Sequence, residues 1–160
     1  MKNHLFNTEK ISYIKGDKPK VDCILCAIRD RLSEVKILEV FRTESFIVSL
    51  NLYPFNPGHL MVFPSRHVEN LVDITDEEAL EMHHLTTKGI NILKDEFNPS
   101  GFNIGYNLGQ GSGASIAHIH QHIVPRYGNE IGFIDILSGT RVYVSDPVEI
   151  MNRLKDKFVL

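Results

Sequence analysis

In the stretch Ala117-His118-Ile119-His120-Gln121-His122-Ile123-Val124, three histidines recur at every second position. Alternation of period two is the signature of a β-strand, in which successive side chains point to opposite faces. Residues 117–124 are therefore expected as a strand. His118, His120 and His122 would share one face at about 6.6 Å per step, with Ile119, Gln121 and Ile123 on the other. A metal ion binds imidazole nitrogen at roughly 2.0–2.1 Å, which three consecutive same-face positions hardly permit for a single ion. A division of labour among the three rings is expected instead.

The flanking residues narrow that labour. From Phe97 through Asn129 there is no Asp or Glu, while the segment carries Ser112, Ser115, Arg126 and a loop with Gly105, Gly109, Gly111 and Gly113. Glycine lets backbone N–H groups approach a ligand closely, and the absence of carboxylates removes repulsion of an anion. These are the properties of a phosphate site. A histidine facing phosphate is largely neutral at pH 7 and can act as nucleophile, carrying the transferred group as a phospho-histidine.

Upstream, Ile37–Arg42 and Phe46–Leu50 are β-branched and aromatic runs around a polar turn, and they predict a hairpin. Asn51–Pro57, with two prolines and two asparagines, reads as a loop, and Gly58–Phe63 as a third strand ending at Pro64. Thr75-Asp-Glu-Glu78 is a capping box, so a helix is expected from there. Its apolar stripe is Met82, Leu85, Ile92, Leu93 and Phe97, and Asn98-Pro99-Ser100-Gly101 stops it. His83 and His84 fall on this helix as surface residues. Phe102–Asn107 supplies a further strand, and Pro147–Phe158, with Val148, Met151, Leu154 and Phe158, a terminal amphipathic helix. The expected class is α+β: an antiparallel sheet of about five strands, one long helix and a C-terminal helix.

At 160 residues the chain suits one domain. Apolar residues are 42% and charged residues 23%, which argues against disordered and fibrous classes. Seventeen Lys and Arg against 20 Asp and Glu give −3, so no basic face for a nucleic-acid partner is expected. The N-terminus has no apolar signal core, and no stretch is long and apolar enough to span a membrane. A cytoplasmic protein without a membrane partner is expected. Cys23 and Cys26 are too few for a disulfide framework; their C-x-x-C spacing leaves half a metal site, a redox dithiol or two incidental cysteines open.

His118-Ile-His120-Gln-His122-Ile-Val resembles the motif of the histidine triad superfamily, with Gln121 at a position that is usually apolar. Asn107-Leu-Gly-Gln-Gly-Ser-Gly-Ala-Ser115 is similar to the same superfamily. So is Asn51-Leu-Tyr-Pro-Phe-Asn-Pro-Gly-His59-Leu-Met-Val-Phe-Pro-Ser-Arg-His67, and the likeness covers roughly residues 20–130. It implies a homodimeric α+β nucleotide-binding fold, paired through a helix and a strand, whose members cleave nucleoside phosphate derivatives at the α-phosphorus. By position, His120 would be the nucleophile. His122 would contact the α-phosphate with Gly113, Ser115 and Asn107, and Ser115 would assist the leaving group. Asn51 would lie near ribose and phosphate and His59 would support the triad, with the strand around Phe46 and Leu50 walling the base. No counterpart of the acidic residue that binds ribose hydroxyls in some members is evident.

The resemblance also implies a structural zinc on Cys23, Cys26, His67 and His118. Its domain plan is an N-terminal arm over 1–20, a histidine triad domain with its zinc-binding segment over 21–130, and a tail over 131–160 packed on that domain. Asn51–Pro57, the His-Gln-His run and Ile136-Leu-Ser-Gly-Thr-Arg-Val142 look most like bacterial diadenosine tetraphosphate hydrolases or phosphorylases. The implied reaction is cleavage of a dinucleoside polyphosphate with water or phosphate as acceptor. A purine nucleoside phosphoramidase and a nucleotide-binding regulatory module with little turnover are the alternatives. His4, His83 and His84 are then incidental.

Overall fold

A computed structural model describes residues 19–128 and 146–158. Most of the expected arm, His4 and the Ile136–Val142 stretch lie outside the described residues. The strands are β1 (Glu39–Arg42), β2 (Phe46–Leu50), β3 (Leu60–Pro64), β4 (Gly101–Tyr106) and β5 (Gln121–Arg126). The helices are α1 (Ile24–Arg29), α2 (Asp76–Phe97) and α3 (Pro147–Lys155). The sheet runs in the order β1-β2-β3-β5-β4 with every neighbouring pair antiparallel, the α+β class expected. β5, which carries His122, is thus an interior strand.

Strand alternation divides the core between the two faces of this sheet. Phe46, Val48, Leu50, Leu60, Val62 and Ile123 pack beneath α2 and α3 with Leu93, Leu154 and Phe158. Ile47, Met61 and Phe63 point the other way and receive Leu25, Ala27 and Ile28 of α1. His122 stands opposite Met61 in register and so shares the α1 face.

The long helix begins where its capping box predicts. Thr75 Oγ1 accepts from the Glu78 N–H at 3.2 Å, and Glu78 Oε2 accepts from the Thr75 N–H at 3.0 Å. Arg66 Nε donates to Glu78 Oε1 at 2.6 Å, and this guanidinium holds the carboxyl well below its usual range, at about 2. Met82, Leu85, Ile92 and Leu93 are buried as their spacing requires, and Asn98 ends the helix in the left-handed conformation, φ 45°. At Gly89 the helix comes so near the sheet that a Cβ would meet Leu60 Cδ1 at 3.3 Å. α3 stops at Lys155 rather than at Phe158, yet Phe158 is still buried.

Two features depart from the sequence expectations. The histidine run is not a continuous strand, because β5 starts only at Gln121. Extending the β3–β5 register would set Ile119 opposite Pro64, which has no N–H to donate to a ladder. The chain diverges there, and the Ile119 N–H bonds instead to the Val68 carbonyl at 2.6 Å. The second departure is α1, a helix that the six-residue stretch after Cys23 did not announce. Cys23 caps it by accepting from the Cys26 N–H, and Arg31 at φ 54° turns the chain away.

Gly58 joins the Asn51–Pro57 loop to β3 at φ 81°, and a Cβ there would lie 2.9 Å from Leu93 Cδ2. Strain and overlap act together, so Gly58→Ala is expected to cost about 1–3 kcal/mol in urea unfolding. An unchanged midpoint would contradict this packing.

Candidate functional site

α1 brings Cys23 and Cys26 against two histidines from distant parts of the chain. Cys23 Sγ lies 3.5 Å from His118 Nδ1, Cys26 Sγ lies 3.6 Å from the same nitrogen, and Cys26 Sγ lies 3.4 Å from His67 Nδ1. All four potential ligand atoms fall within 4.8 Å of one another. A tetrahedral ion with bonds of about 2.3 Å to sulfur and 2.05 Å to nitrogen separates a sulfur from a nitrogen by about 3.6 Å, close to these three sulfur–nitrogen distances. His118 Nε2 donates to the Pro64 carbonyl at 3.0 Å, and a carbonyl can only accept. Its Nδ1 lone pair is therefore directed at the thiols, the tautomer a metal ligand needs. His67 Nε2 faces Glu69 Oε1 at 3.4 Å, which orients its ring the same way. Burial and the adjacent Cys23 push the Cys26 thiol up to about 11, so a cation is needed to hold that sulfur as a thiolate. The four residues can hold a metal ion.

On the other side of α1 lies a cavity of about 330 Å³. Ile24, Leu25, Ile28, Val35, Leu38, Leu50, Met61 and Ile116 are among its apolar walls, and Asn51, Asn107, Gly113, Ser115, His120 and His122 are among its polar groups, with Glu34 and Lys36 its charged ones among the described residues. The glycine loop and the histidines expected at one place are therefore brought together. Leu50 lines the cavity as expected, but Phe46 does not. Phe46, at the other end of β2, is fully buried in the core beneath α2 and α3. Its expected role in the wall falls to Met61 and the α1 side chains. The spacing of Ile24 and Ile28 at i and i+4 beside the cysteines was the available sign.

Backbone partners fix the protons on the site's histidines. The Phe55 N–H donates to His59 Nδ1 at 3.2 Å, so His59 carries its proton on Nε2 and donates to His122 Nδ1 at 2.9 Å. His122 then carries its own proton on Nε2. The Asn107 side-chain amide meets that atom at 3.3 Å, and its oxygen is the group that can accept from it. His120 Nδ1 donates to the His118 carbonyl at 2.9 Å, leaving the Nε2 lone pair as the ring's only acceptor. Burial holds the His120 pKa below its ordinary value, partly offset by that carbonyl, so the ring is neutral at pH 7. The His120 and His122 rings stand 4.7 Å apart, while His118 packs on His67 at 4.9 Å. His59 is fully buried behind His122 and does not line the cavity. His83 and His84 are exposed on α2.

Two further placements complete the site. Asn51 Oδ1 accepts from the Tyr53 N–H at 2.8 Å, and Asn56 Nδ2 donates to the Pro125 carbonyl at 2.6 Å. These bonds fold the Asn51–Pro57 loop against β5. Gln121 faces α2 rather than the cavity, its amide bonded to Thr86 Oγ1 and donating to the Tyr106 hydroxyl at 2.7 Å. That polar pair explains why this position is not apolar.

Comparison with known proteins agrees with this geometry. The HIT domain family matches residues 32–129. A Mycobacterium tuberculosis protein named AP-4-A phosphorylase is 47% identical over 113 residues, 70% of this chain and 58% of that one. A Schizosaccharomyces pombe protein named bis(5′-nucleosyl)-tetraphosphatase (asymmetrical) is 35% identical over 86 residues, 54% of this chain and 47% of that one. The chain therefore spans only about half the length of these relatives. Among solved structures, a zinc-bound histidine triad family protein from Mycobacterium smegmatis superposes with a TM-score of 0.70 at 26% identity, covering 85% of this chain and 92% of that one. With the family match covering more than half of its length, this chain belongs to the HIT domain family.

Proposed function

We propose that the chain cleaves dinucleoside polyphosphates of the diadenosine tetraphosphate kind at an α-phosphorus, through a nucleotidyl-histidine formed on His120. The observation that carries this reading is the bond from His120 Nδ1 to the His118 carbonyl, which leaves Nε2 unprotonated on a ring that lines the cavity. Nε2 attacks the α-phosphorus in line. A P–N bond forms as the P–O bond to the polyphosphate breaks, and the electron pair departs with the bridging oxygen. The ring becomes cationic in this step, and the His118 carbonyl stabilises the Nδ1–H as it does. His122 Nε2–H and the Gly113 backbone N–H serve the non-bridging oxygens, Ser115 assists the leaving oxygen, and Asn107 and Asn51 hold the phosphate and ribose. His59 fixes the His122 tautomer as a positioning residue.

A second acceptor then displaces the nucleotide from His120. The 47% identity to a protein named phosphorylase supports phosphate in that role, with water as the other acceptor. Product chromatography with diadenosine tetraphosphate tests this: ATP with ADP that appears only when phosphate is supplied marks phosphorolysis, and ATP with AMP marks hydrolysis. His120→Ala is expected to lose at least about a thousandfold in kcat. A variant with near-native turnover contradicts the assignment.

Zinc is the metal proposed for Cys23, Cys26, His67 and His118, supported by the two-sulfur, two-nitrogen donor set and its tetrahedral spacing. A closed four-ligand site is structural; when bound, the ion supplies cross-linking of α1 to the segment that bears His118. Elemental analysis should give one zinc per chain, and Cys26→Ser should lose it and lower Tm by about 5 °C or more. A zinc-free wild-type chain of unchanged stability overturns the proposal.

The same reading supports a cytoplasmic homodimer that binds neither nucleic acid nor membrane. β4 is an edge strand with Ile104 46% exposed, and Leu80 on α2 is 57% exposed. Sedimentation should give about twice the monomer mass, and Ile104→Arg should shift the protein to monomer.

A further inference from the structure

We propose that Glu34 and Lys36 form a base-reading pair at the outer end of the nucleotide cavity and select a 6-amino purine over a 6-oxo purine. The inference rests on the adenine nucleotide of the proposed function and adds the groups that recognise it. Glu34 and Lys36 are the two Asp, Glu, Lys or Arg side chains among the described residues lining this cavity; its other walls are apolar or carry imidazole, amide or hydroxyl groups. They flank the buried Val35, two positions apart in an irregular segment, with both side chains exposed. That segment enters β1, which lies three strands from β5 and its His122. At roughly 4.8 Å per strand β1 lies about 14 Å from β5, the order of the reach from an α-phosphate to the far edge of a base and more than a ribose hydroxyl needs.

The pair is uncommitted to other structure. Glu34 Oε2 accepts from Ser33 Oγ at 3.2 Å, and among the described residues Glu34 and Lys36 form no ion pair with each other or with any neighbour. Both nearby arginines are spent on the buried Glu39, Arg31 at 3.1 Å and Arg42 Nε at 2.8 Å. A lysine with a carboxylate beside it is a poor phosphate site, since the carboxylate repels the anion. An acceptor beside a donor instead matches the edge of a nucleobase.

The order of those groups gives selectivity. Adenine presents a donor at its 6-amino group and an acceptor at N1, whereas hypoxanthine presents an acceptor at O6 and a donor at N1–H. A base held by its phosphate and by the apolar walls cannot turn over to exchange them. With Glu34 at the amino group and Lys36 at N1, adenine makes both bonds and hypoxanthine meets like against like.

Calorimetric titration of the full chain with AMP and with IMP tests the pair. The wild type should bind AMP about tenfold more tightly, the worth of a charge-assisted hydrogen bond at a partly open site. Glu34→Ala should bring AMP down to the affinity of IMP, and the exchanged double variant Glu34→Lys with Lys36→Glu should reverse the preference. Equal affinities in the wild type, an equal loss of both ligands in Glu34→Ala, or no reversal in the exchanged variant overturns the inference and leaves the proposed function standing. Failure to bind either nucleotide overturns both.

Discussion

The site hangs on His118, a residue only 1% exposed whose ring and backbone carbonyl are all engaged. Its Nε2–H satisfies the Pro64 carbonyl at the point where β3 can no longer pair with the chain leading into β5. Its Nδ1 faces the two thiols of α1, and its carbonyl receives Nδ1–H of His120. Buried polar atoms that lose their partners cost about 1–3 kcal/mol each, so these bonds enforce one another. The proline that ends the ladder thereby sets a ring tautomer, the tautomer sets a ligand lone pair, and the same residue orients the neighbouring ring toward the cavity. Burial and the neighbouring His67 lower the His118 pKa to about 4 against the opposing pull of the Pro64 bond, which keeps the ring neutral.

The second chain of imidazoles has a direction for the same reason. It starts at the Phe55 N–H, a group that can only donate, passes through His59 and reaches His122. Each ring has one acceptor and one donor when neutral, so the polarity at the backbone is transmitted to the cavity. The proposed phosphate donor at His122 Nε2 thus follows from a main-chain hydrogen bond at the Asn51–Pro57 loop. This loop is itself folded by two asparagine side chains, which links its turn chemistry to the chemistry of the site.

Much of this was legible in the order of residues, and the failures share a cause. The capping box, the α2 stripe and the hairpin are local patterns, and the structure bears them out within two residues. The spatial separation of His118, beside the thiols, from His120 and His122, on the cavity, was also expected, because strand geometry left too little room for three ligands to one ion. The strand start at Gln121 was not, since it depends on Pro64, a residue more than fifty positions away that becomes a neighbour only in the folded sheet. Phe46 was misplaced because it shares a face with Leu50 but sits at the opposite end of β2, and only the folded sheet shows which end of that strand reaches the cavity. Gln121 was an unexplained departure until Thr86 and Tyr106 appeared beside it.

The distribution of charge around the cavity bears on how a polyanion would be held. Among the described residues no arginine lines the cavity, and Lys36 stands two positions from Glu34 in the segment that enters β1, three strands from β5. The chain as a whole carries −3, so no long-range attraction draws a polyphosphate toward it. Under the proposed function, binding rests on short-range donors: imidazole N–H, loop N–H groups and hydroxyls, with no carboxylate between Phe97 and Asn129 to oppose them. Neutral donors of this kind strengthen as negative charge builds on the non-bridging oxygens, and they do not clamp the ground state as fixed cations would. If the site forms and then discharges a covalent nucleotide, as proposed, it gains from that restraint, because a tightly held polyphosphate product would leave slowly.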